Sequence, residues 1–318
     1  MINDALWILI LVATATTGVT VPQVIDTEYR QVAHYQEDNT LQVAVLPEPK
    51  LRISPTQIDT DTGPALLSRA AIVMDKASGA ILWEKNPDMA VPIASITKLM
   101  TVVVAQDYIT NWEEPYTLTW GEISLGGSTF AGGVGDTFTK SDLLKAALVG
   151  SANNAAAGLA HSTGLPEDQF VAAMNAKAQL LGMSKTSFVE TTGLEEADVS
   201  SARDLAMLMR TITGYEQILE PMGQIEHRMV KRNGEGQPLE GASDIIVRTT
   251  NRLIKNHDPL IVAGKTGFTY EAGNCLVTLA RNADGNEVIV VVLGAPDETS
   301  RFTENHDLAQ WAFDHYKW

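Results

Sequence analysis

The segment PIASITKLMTVVVAQDYI, residues 92–109, combines an apolar helical run with an alcohol and an amine at its start. Ser95 and Lys98 are three residues apart, and positions i and i+3 lie on the same face of a helix. Pro92 stands just upstream, where a helix can begin without losing a needed donor. A serine hydroxyl becomes a good nucleophile when a neighbouring base takes its proton. The segment therefore predicts a helix-start serine activated by a lysine whose pKa is lowered by burial and a nearby cation.

A Ser-x-x-Lys pattern alone is also typical of an N-cap serine followed by a solvent-exposed lysine. Two further motifs favour the chemical interpretation. Ser151-x-Asn153 follows Ser95 along the chain, and Lys265-Thr266-Gly267 comes after both. These three motifs, in this order, are found in the serine β-lactamases and penicillin-binding proteins.

The segment AGKTGFT allows a rival interpretation as a phosphate-binding loop, which requires Gly-x-x-x-x-Gly-Lys-Ser/Thr. The first glycine of that pattern would fall at Pro259, and the residues after Gly267 are typical of a turn and strands rather than a helix. We therefore reject this interpretation. The glycines of GGSTFAGGVGD, residues 126–136, lack a following Gly-Lys pair and predict a surface loop that needs positive φ angles.

Composition excludes several classes of protein. The formal net charge of −16 argues against nucleic acid or an anionic membrane surface as a partner. The single cysteine, Cys275, excludes an intramolecular disulfide, and its apolar neighbours predict a packed thiol. The six histidines show no ligand spacing, so no metal is expected, and no organic cofactor is needed for the predicted chemistry.

The N-terminal residues predict export. Residues 5–13 form an apolar run too short to span a bilayer, and Ala13-Thr14-Ala15 matches a small-x-small cleavage pattern. We expect residues 1–19 to be a signal peptide directing the chain to the periplasm or cell envelope. An N-terminal core helix and a retained anchor stay open as alternatives, because no Lys or Arg precedes the apolar run. Residues 20–62, polar and proline-rich, predict a flexible tether, and residues 63–318 the catalytic domain.

Strand patterns at both ends of the folded part enclose a helical middle. Residues 70–86 and 274–295 each predict a β-hairpin, the second with Asp284-Gly285 in its turn. The segments between them, including residues 141–162, have helical patterns. The sequence therefore predicts an α+β fold, in which an antiparallel sheet built from both chain ends is flanked by helices and accompanied by a helical subdomain.

From about Leu67 to the C-terminus, the sequence resembles the low-molecular-mass penicillin-binding proteins, the D-alanyl-D-alanine carboxypeptidases and endopeptidases of bacterial cell walls. The resemblance rests on the three motifs and on the segments FVAAMNAKAQLLGM, FVETTGL, SARDLAMLM and VAGKTGFTYEAGNCLV, which occur in that family's order. It implies the serine β-lactamase/penicillin-binding-protein-like fold, a covalent acyl-enzyme, and β-lactam antibiotics as acylating inhibitors.

The resemblance also implies catalytic roles. Ser95 would attack the carbonyl between two D-residues, and Lys98 would accept its proton. Ser151 would pass a proton toward the leaving amine, and Asn153 would orient Lys98 and the substrate amide. Lys265 would keep the pocket cationic and so lower the pKa of Lys98 by like-charge repulsion.

The remaining implied positions bind the substrate. Thr266, next to Gly267, would hydrogen-bond a terminal carboxylate. The N–H groups of the nucleophile and of Phe268 would form an oxyanion hole, worth about 3–4 kcal/mol per donor in other acyl-transfer enzymes. Arg252 and Arg301 are candidates for carboxylate recognition, with a surface ion pair as an equally supported alternative.

Two departures from the carboxypeptidase branch favour the shorter endopeptidase branch, which cuts D-alanyl to meso-diaminopimelate cross-links. The chain ends soon after Lys265, without the β-rich domain and basic anchor helix usual in the carboxypeptidases. Phe268 stands where that branch often has histidine. The Glu-x-x-Leu-Asn run that activates the deacylating water of class A β-lactamases is absent between the second and third motifs.

The sequence thus predicts an exported serine DD-peptidase acting on peptidoglycan stem peptides, with endopeptidase action on cross-links favoured and D-alanyl-D-alanine carboxypeptidase action as the alternative. An alternative of another class is a penicillin-binding but catalytically idle scaffold that regulates other wall enzymes. The intact chemical groups of the three motifs argue against the scaffold.

Overall fold

The structure is a computed structural model that describes residues 54–318. Residues 1–53, which hold the predicted signal peptide and most of the predicted tether, lie outside the described residues. The strands are Thr56–Gln57 (β1), Ala70–Asp75 (β2), Ile81–Lys85 (β3), Val91–Pro92 (β4), Pro115–Thr117 (β5), Thr137–Thr139 (β6), Val199–Ser200 (β7), Glu226–Met229 (β8), Ile245–Arg248 (β9), Ile261–Thr269 (β10), Gly273–Arg281 (β11), Glu287–Ala295 (β12) and Tyr316–Lys317 (β13). The helices are Thr97–Tyr108 (α1), Trp120–Ile123 (α2), Lys140–Val149 (α3), Asn153–His161 (α4), Glu167–Leu180 (α5), Ala202–Ile212 (α6), Glu216–Leu219 (α7), Arg252–Lys255 (α8) and Glu298–His315 (α9), with 3₁₀ turns at Ala94–Ile96 and Pro221–Gly223.

The central sheet contains five strands in the order β10–β11–β12–β2–β3, each antiparallel to its neighbours. The N-terminal hairpin β2–β3 joins the C-terminal hairpin β11–β12 through β2 and β12, where Val73 pairs with Val290. The prediction of an antiparallel sheet assembled from both chain ends is confirmed. Gly79 and Gly285 lie between the strands of the two predicted hairpins with φ angles of 77° and 86°, a conformation that glycine adopts without strain.

Helices cover both faces of the sheet, so its inner strands are apolar on both sides. Successive side chains of β12 alternate between two cores, as the two-residue period of a strand requires. The larger core takes Ile289, Val291 and Leu293, and the smaller core takes Val288, Val290 and Val292. Helix α9 packs into the smaller core, while α6 and the helical subdomain of α1, α3, α4 and α5 contribute to the larger one. The predicted α+β class is therefore confirmed.

Two local details differ from the sequence prediction. Pro92 does not begin the helix but ends β4, and Ser95 lies in the 3₁₀ turn that precedes α1. The helical pattern of residues 141–162 is interrupted at residues 150–152, where Ser151 adopts a φ of +58°. The pattern did not reveal this break because small and apolar residues continue through it with helical spacing.

The end of the predicted tether packs on the domain. Strand β1 pairs with β13. The Asp61 carboxylate accepts a hydrogen bond from Trp311 Nε1 at 2.7 Å, and the Thr62 carbonyl accepts one from Trp83 Nε1 at 3.0 Å. We call residues 54–62 the N-terminal clasp. The folded domain therefore includes residues that the sequence assigned to the tether.

Candidate active site

Ser95 is presented by a tight turn between β4 and α1. Ala94 adopts a positive φ of 48°, and the side chains of Ile93 and Ile96 are buried beneath the turn. Gly193 packs directly against it, since a Cβ at this position would lie 1.9 Å from the Ala94 carbonyl oxygen and 2.8 Å from the Ser95 nitrogen. Only glycine fits here, so the backbone at residue 193 holds the turn that carries the serine.

Lys98 lies in the first turn of α1, fully buried, with its amine next to the serine hydroxyl. Lys98 Nζ is 2.8 Å from Ser95 Oγ, 2.6 Å from Asn153 Oδ1 and 2.6 Å from the Thr192 carbonyl oxygen. The two carbonyl oxygens can only accept hydrogen bonds. A neutral amine with two N–H groups satisfies both and keeps its lone pair for the Ser95 hydroxyl proton. The geometry is that of a general base on its nucleophile.

The electrostatics of the site support a neutral Lys98, through burial, which is one of the two causes that the sequence suggested. Burial lowers the pKa of Lys98 to about 7, against the carboxylates of Glu190 and Asp198, which raise it. The pKa of Lys265 is also lowered, first by burial and then by the charges of Lys98 and Arg301. Burial is thus the main cause of the low pKa of Lys98. Because burial also lowers the pKa of Lys265, it opposes the cationic pocket that the resemblance implied.

The break between α3 and α4 directs Ser151 and Asn153 to the same site. Ser151 Oγ accepts a hydrogen bond from Lys265 Nζ at 2.7 Å. Asn153 is the first residue of α4, and while its Oδ1 accepts from Lys98, its Nδ2 donates to the Gly126 carbonyl at 2.7 Å. The glycine-rich segment, which the sequence suggested was merely a surface loop, therefore orients Asn153.

Lys265, Thr266 and Gly267 lie on β10, an edge strand of the central sheet that runs beside the serine turn. A Cβ on Gly267 would lie 2.7 Å from the Ile93 carbonyl oxygen, so glycine allows the strand to approach the turn. The hydroxyl of Thr266 is 2.5 Å from that of Thr250. A phosphate-binding loop would lead into a helix, whereas this segment continues as a strand, which confirms that the rival interpretation was rightly rejected.

The three motifs meet at one cavity of about 560 Å³. Lys98 and Lys265 are buried behind its wall, so the nucleophile is open to substrate while the amines are shielded from water. Phe268 is 52% exposed at the cavity and its ring contacts that of Tyr270 edge to face. The predicted site residues that line the cavity are Ser95, Ser151, Asn153, Arg252, Thr266, Gly267, Phe268 and Arg301.

The two arginines have different environments. Arg252 forms a half-exposed ion pair with Glu298 at 2.7 Å, which is the alternative that the sequence left open. Arg301 is buried and donates a hydrogen bond to the Gly267 carbonyl at 3.0 Å. Both arginines line the cavity that Ser95 opens onto.

Sequence reasoning missed groups that act mainly through backbone atoms or through the order of a loop. A backbone carbonyl carries no side-chain signature, so no pattern of residue types identifies Thr192. Glu190 belongs to the FVETTGL segment that carries the resemblance, but its residue type alone does not predict a role. The missed residues are Gly127, Ser128, Glu190, Thr192, Gly193, Thr250 and Glu298.

Three general features complete the description. Among residues 54–318, no group of three or more His, Cys, Asp or Glu side chains is arranged to hold a metal ion. Over that same range, no helix combines the length and the apolar character needed to cross a membrane. Cys275 is a buried thiol, as predicted, and burial raises its pKa to about 11.

Comparison with known proteins identifies the family. The model of the D-alanyl-D-alanine carboxypeptidase family matches residues 57–297. The chain belongs to this family. A D-alanyl-D-alanine endopeptidase of Pseudomonas aeruginosa is 38% identical over 247 residues, which cover 77% of each chain, and one of Escherichia coli is 33% identical over 79% of each. A D-alanyl-D-alanine carboxypeptidase of Bacillus subtilis is 30% identical, over 79% of this chain and 63% of its own length.

Solved structures agree with the fold. A D-alanyl-D-alanine carboxypeptidase of Mycobacterium tuberculosis superposes with a TM-score of 0.73 at 23% identity, covering 81% of this chain and 95% of that one. A variant of a Streptomyces DD-transpeptidase gives 0.73 at 23% identity, covering 79% and 99%. The predicted resemblance and fold are confirmed, and the chain is a hydrolase of the serine DD-peptidase family.

Proposed function

We propose that this protein is a cell-envelope DD-endopeptidase that hydrolyses D-alanyl–D-amino acid cross-links of peptidoglycan through an acyl-enzyme on Ser95. The observation that carries the proposal is the position of Lys98 Nζ, 2.8 Å from Ser95 Oγ and within 2.6 Å of two carbonyl acceptors. This arrangement leaves the amine lone pair facing the serine proton. A catalytically idle scaffold would have no need to keep such an arrangement.

Acylation begins when Ser95 Oγ attacks the D-alanyl carbonyl carbon and its proton moves to Lys98. The oxygen of the tetrahedral intermediate would receive hydrogen bonds from the N–H groups of Ser95 and Phe268. Ser151, hydrogen-bonded to Lys265, lies at the same cavity and would deliver a proton to the leaving amine. The proton that Lys98 took from Ser95 would replace it on Ser151, which returns Lys98 to its neutral form. The C–N bond then breaks, leaving an ester between Ser95 and the D-alanyl group.

Deacylation reverses these roles with water as the nucleophile. Lys98, neutral again, would take a proton from the water. It would give this proton to Ser95 Oγ as the ester C–O bond breaks, which restores the serine hydroxyl. Thr266 and Arg301 line the cavity, where they would bind the carboxylate of the leaving D-residue. β-Lactam antibiotics, whose strained amide mimics the D-alanyl bond, would acylate Ser95 and remain bound.

The preference for cross-links rests on two kinds of support. The two relatives above that are named endopeptidases match this chain over more than three quarters of its length. At the cavity, Phe268 and the 90% exposed Tyr270 present an open aromatic edge. A diaminopimelate leaving group continues into a second peptide, and its methylene chain would lie against such an edge.

A side-by-side time course tests this proposal. Purified protein is incubated with cross-linked dimer muropeptides and with pentapeptide monomers, and the products are followed by mass spectrometry. We expect dimers to be split faster than pentapeptides lose their terminal D-alanine, and Ser95→Ala to do neither. Rapid trimming of pentapeptides with intact dimers would make the protein a carboxypeptidase. No cleavage by a preparation that a β-lactam acylates would favour the idle scaffold.

A further inference from the structure

The loop of residues 191–194 contributes two parts of the site. Its Thr192 carbonyl accepts a hydrogen bond from Lys98 Nζ at 2.6 Å. Its Gly193 lies so close to the serine turn that any side chain would overlap the Ala94 carbonyl. The conformation of this loop therefore determines where both the base and the nucleophile lie.

A single carboxylate fixes that conformation. Glu190 Oε2 accepts hydrogen bonds from Thr192 N at 2.6 Å and Thr192 Oγ1 at 2.7 Å. Its Oε1 accepts from Leu194 N at 2.9 Å and also from Gly193 N. Four donors from three consecutive residues converge on one side chain, which requires the ionised, acceptor-only form of glutamate.

A second carboxylate holds this one in place. Asp198 Oδ1 accepts hydrogen bonds from Val189 N at 2.7 Å and from Glu190 N at 3.3 Å, and the Asp198 side chain is fully buried. These two hydrogen bonds hold the backbone that carries the Glu190 side chain in place. Asp198, Glu190 and the loop form a continuous series of hydrogen bonds that ends at the Lys98 amine.

Charged groups reach the Lys98 amine from several parts of the fold. Glu190 and Asp198 lie in the segment that leads into β7, and the charges of both favour the protonated form of Lys98. On β10, the pKa of Lys265 is lowered by burial and by the charges of Lys98 and of Arg301 on α9. Burial, followed by repulsion from Glu190, raises the pKa of Asp198 to about 7, so this residue titrates in the same range as Lys98.

We propose that Glu190 is a positioning residue for the DD-peptidase reaction: its carboxylate shapes the 191–194 loop so that the Thr192 carbonyl meets Lys98 and the Gly193 backbone supports Ser95. Its negative charge also faces the buried amine and so helps to set the pH at which Lys98 becomes a base. The inference rests on the proposed function, since it assigns Glu190 to the acyl-transfer centre.

The test compares acylation rates by a fluorescent penicillin between pH 4.5 and 9 for the full-length protein and three variants. Glu190→Gln removes the charge and two of the acceptor positions, because an amide nitrogen cannot accept a hydrogen bond. Glu190→Asp keeps the charge but shortens the side chain. Glu196→Gln removes an exposed carboxylate from the same segment and is the matched control.

We expect the wild-type rate to rise through about pH 7, where Lys98 loses its proton. Glu190→Gln should lower the plateau rate about 10- to 100-fold, because the base and the nucleophile are misplaced. It should also move the acid limb to lower pH, because a negative charge that favours protonated Lys98 is gone. Glu190→Asp should lower the plateau with its acid limb near that of the wild type. Glu196→Gln should change neither.

Repeating the comparison in Asp198→Asn, which keeps the acceptor for Val189 and Glu190, removes the titration of Asp198 from the profile. The shift caused by Glu190→Gln should persist there. A lower plateau with an unmoved acid limb would make Glu190 merely structural and overturn the inference, as would a Glu190→Gln profile like that of Glu196→Gln. Failure of the proposed function is distinguishable, because it would appear as wild-type protein that leaves cross-linked dimers intact, whatever the Glu190 variants do to the acylation rate.

Discussion

At the scale of single residues, the site contains two buried amines with different hydrogen-bond partners. Lys98 faces the Ser95 hydroxyl, whereas Lys265 donates a hydrogen bond to Ser151. Burial lowers the pKa of both amines, so near neutral pH a larger fraction of each is unprotonated than in an exposed lysine. This arrangement fits a reaction in which one proton leaves the nucleophile and another reaches the leaving amine.

Replacing the base tests the role of Lys98. Lys98→Arg keeps a positive charge that cannot be given up at accessible pH, so Ser95 would lose its proton acceptor. We expect the acylation rate by a fluorescent penicillin to fall about a thousandfold, within the range of general base catalysis. Lys185→Arg, at an exposed position, is the control and should keep the wild-type rate. A loss of less than tenfold in Lys98→Arg would show that the amine is not the base.

Whether the role of a residue could be predicted from the sequence depends on which of its chemical groups, side chain or backbone, takes part in the site. The side chains of the three motifs could be identified from the sequence because their chemistry resides in residue type and order. The Thr192 carbonyl could not, because every residue has one and only the fold selects it. Burial was predicted as a cause of the low pKa of Lys98, but the opposing carboxylates of Glu190 and Asp198 were not, because only the fold brings them near the amine.

At the scale of elements, the serine turn is held between two glycine backbones that belong to distant segments. Gly193 contacts the turn from the loop before β7, and Gly267 contacts it from β10. Each contact is closer than any Cβ would allow. The turn, the loop and the edge strand therefore form one assembly, in which a change in one segment displaces the nucleophile.

Substitution of Gly193 measures this contact. Gly193→Ala would place a methyl group 1.9 Å from the Ala94 carbonyl oxygen at a φ of +82°. Gly164 has the same φ of +82° but nothing within 4 Å, so Gly164→Ala isolates the cost of the backbone conformation, about 1–2 kcal/mol. We expect Gly193→Ala to lower the free energy of unfolding by more than this control and to lower the acylation rate strongly. Equal unfolding free energies and rates in the two variants would contradict the contact.

The elements themselves were largely predictable, but their interruptions were not. The hairpins and most helices follow from the period of their apolar residues. The break at Ser151 does not, because its positive φ is unusual for serine and is stabilised by tertiary contacts rather than by local preference. Sites often lie where local preference is overridden in this way.

At the scale of the whole molecule, the central sheet separates the active site from the N-terminal clasp. Ala94 and Ile96 of the serine turn belong to the larger core, whereas Trp311, which binds the clasp, belongs to the smaller one. Distant sites without shared partners usually contribute independently to stability. The clasp should therefore stabilise the domain without tuning the chemistry.

Truncation of Trp311 tests this independence. Trp311→Ala removes a buried indole that packs against Tyr316 and donates to Asp61, so we expect it to lower the free energy of unfolding by about 3–5 kcal/mol. Trp311→Phe keeps an aromatic ring and should lose less. Urea denaturation gives the stability, and the acylation rate per folded molecule should stay at the wild-type level. If Trp311→Phe lowered the acylation rate per folded molecule as well as the stability, the clasp would be coupled to the active site.

The clasp also shows the limit of prediction at this scale. The sheet built from both chain ends was predictable because both hairpins carry strong strand patterns. Residues 54–62 are polar, and β1 is only two residues long, so their pairing with β13 leaves no periodic signal. Their attachment depends on single bonds to indole groups far along the chain, which only the folded structure brings together.

The most direct test of the central claim, that Lys98 activates Ser95 as the nucleophile, is the mass of the protein after exposure to benzylpenicillin. We predict one covalent adduct on the wild-type protein, located at Ser95 by peptide mapping. Ser95→Ala should stay unmodified while keeping the wild-type unfolding transition. An adduct that persists in Ser95→Ala, or that maps to another residue, would contradict the account.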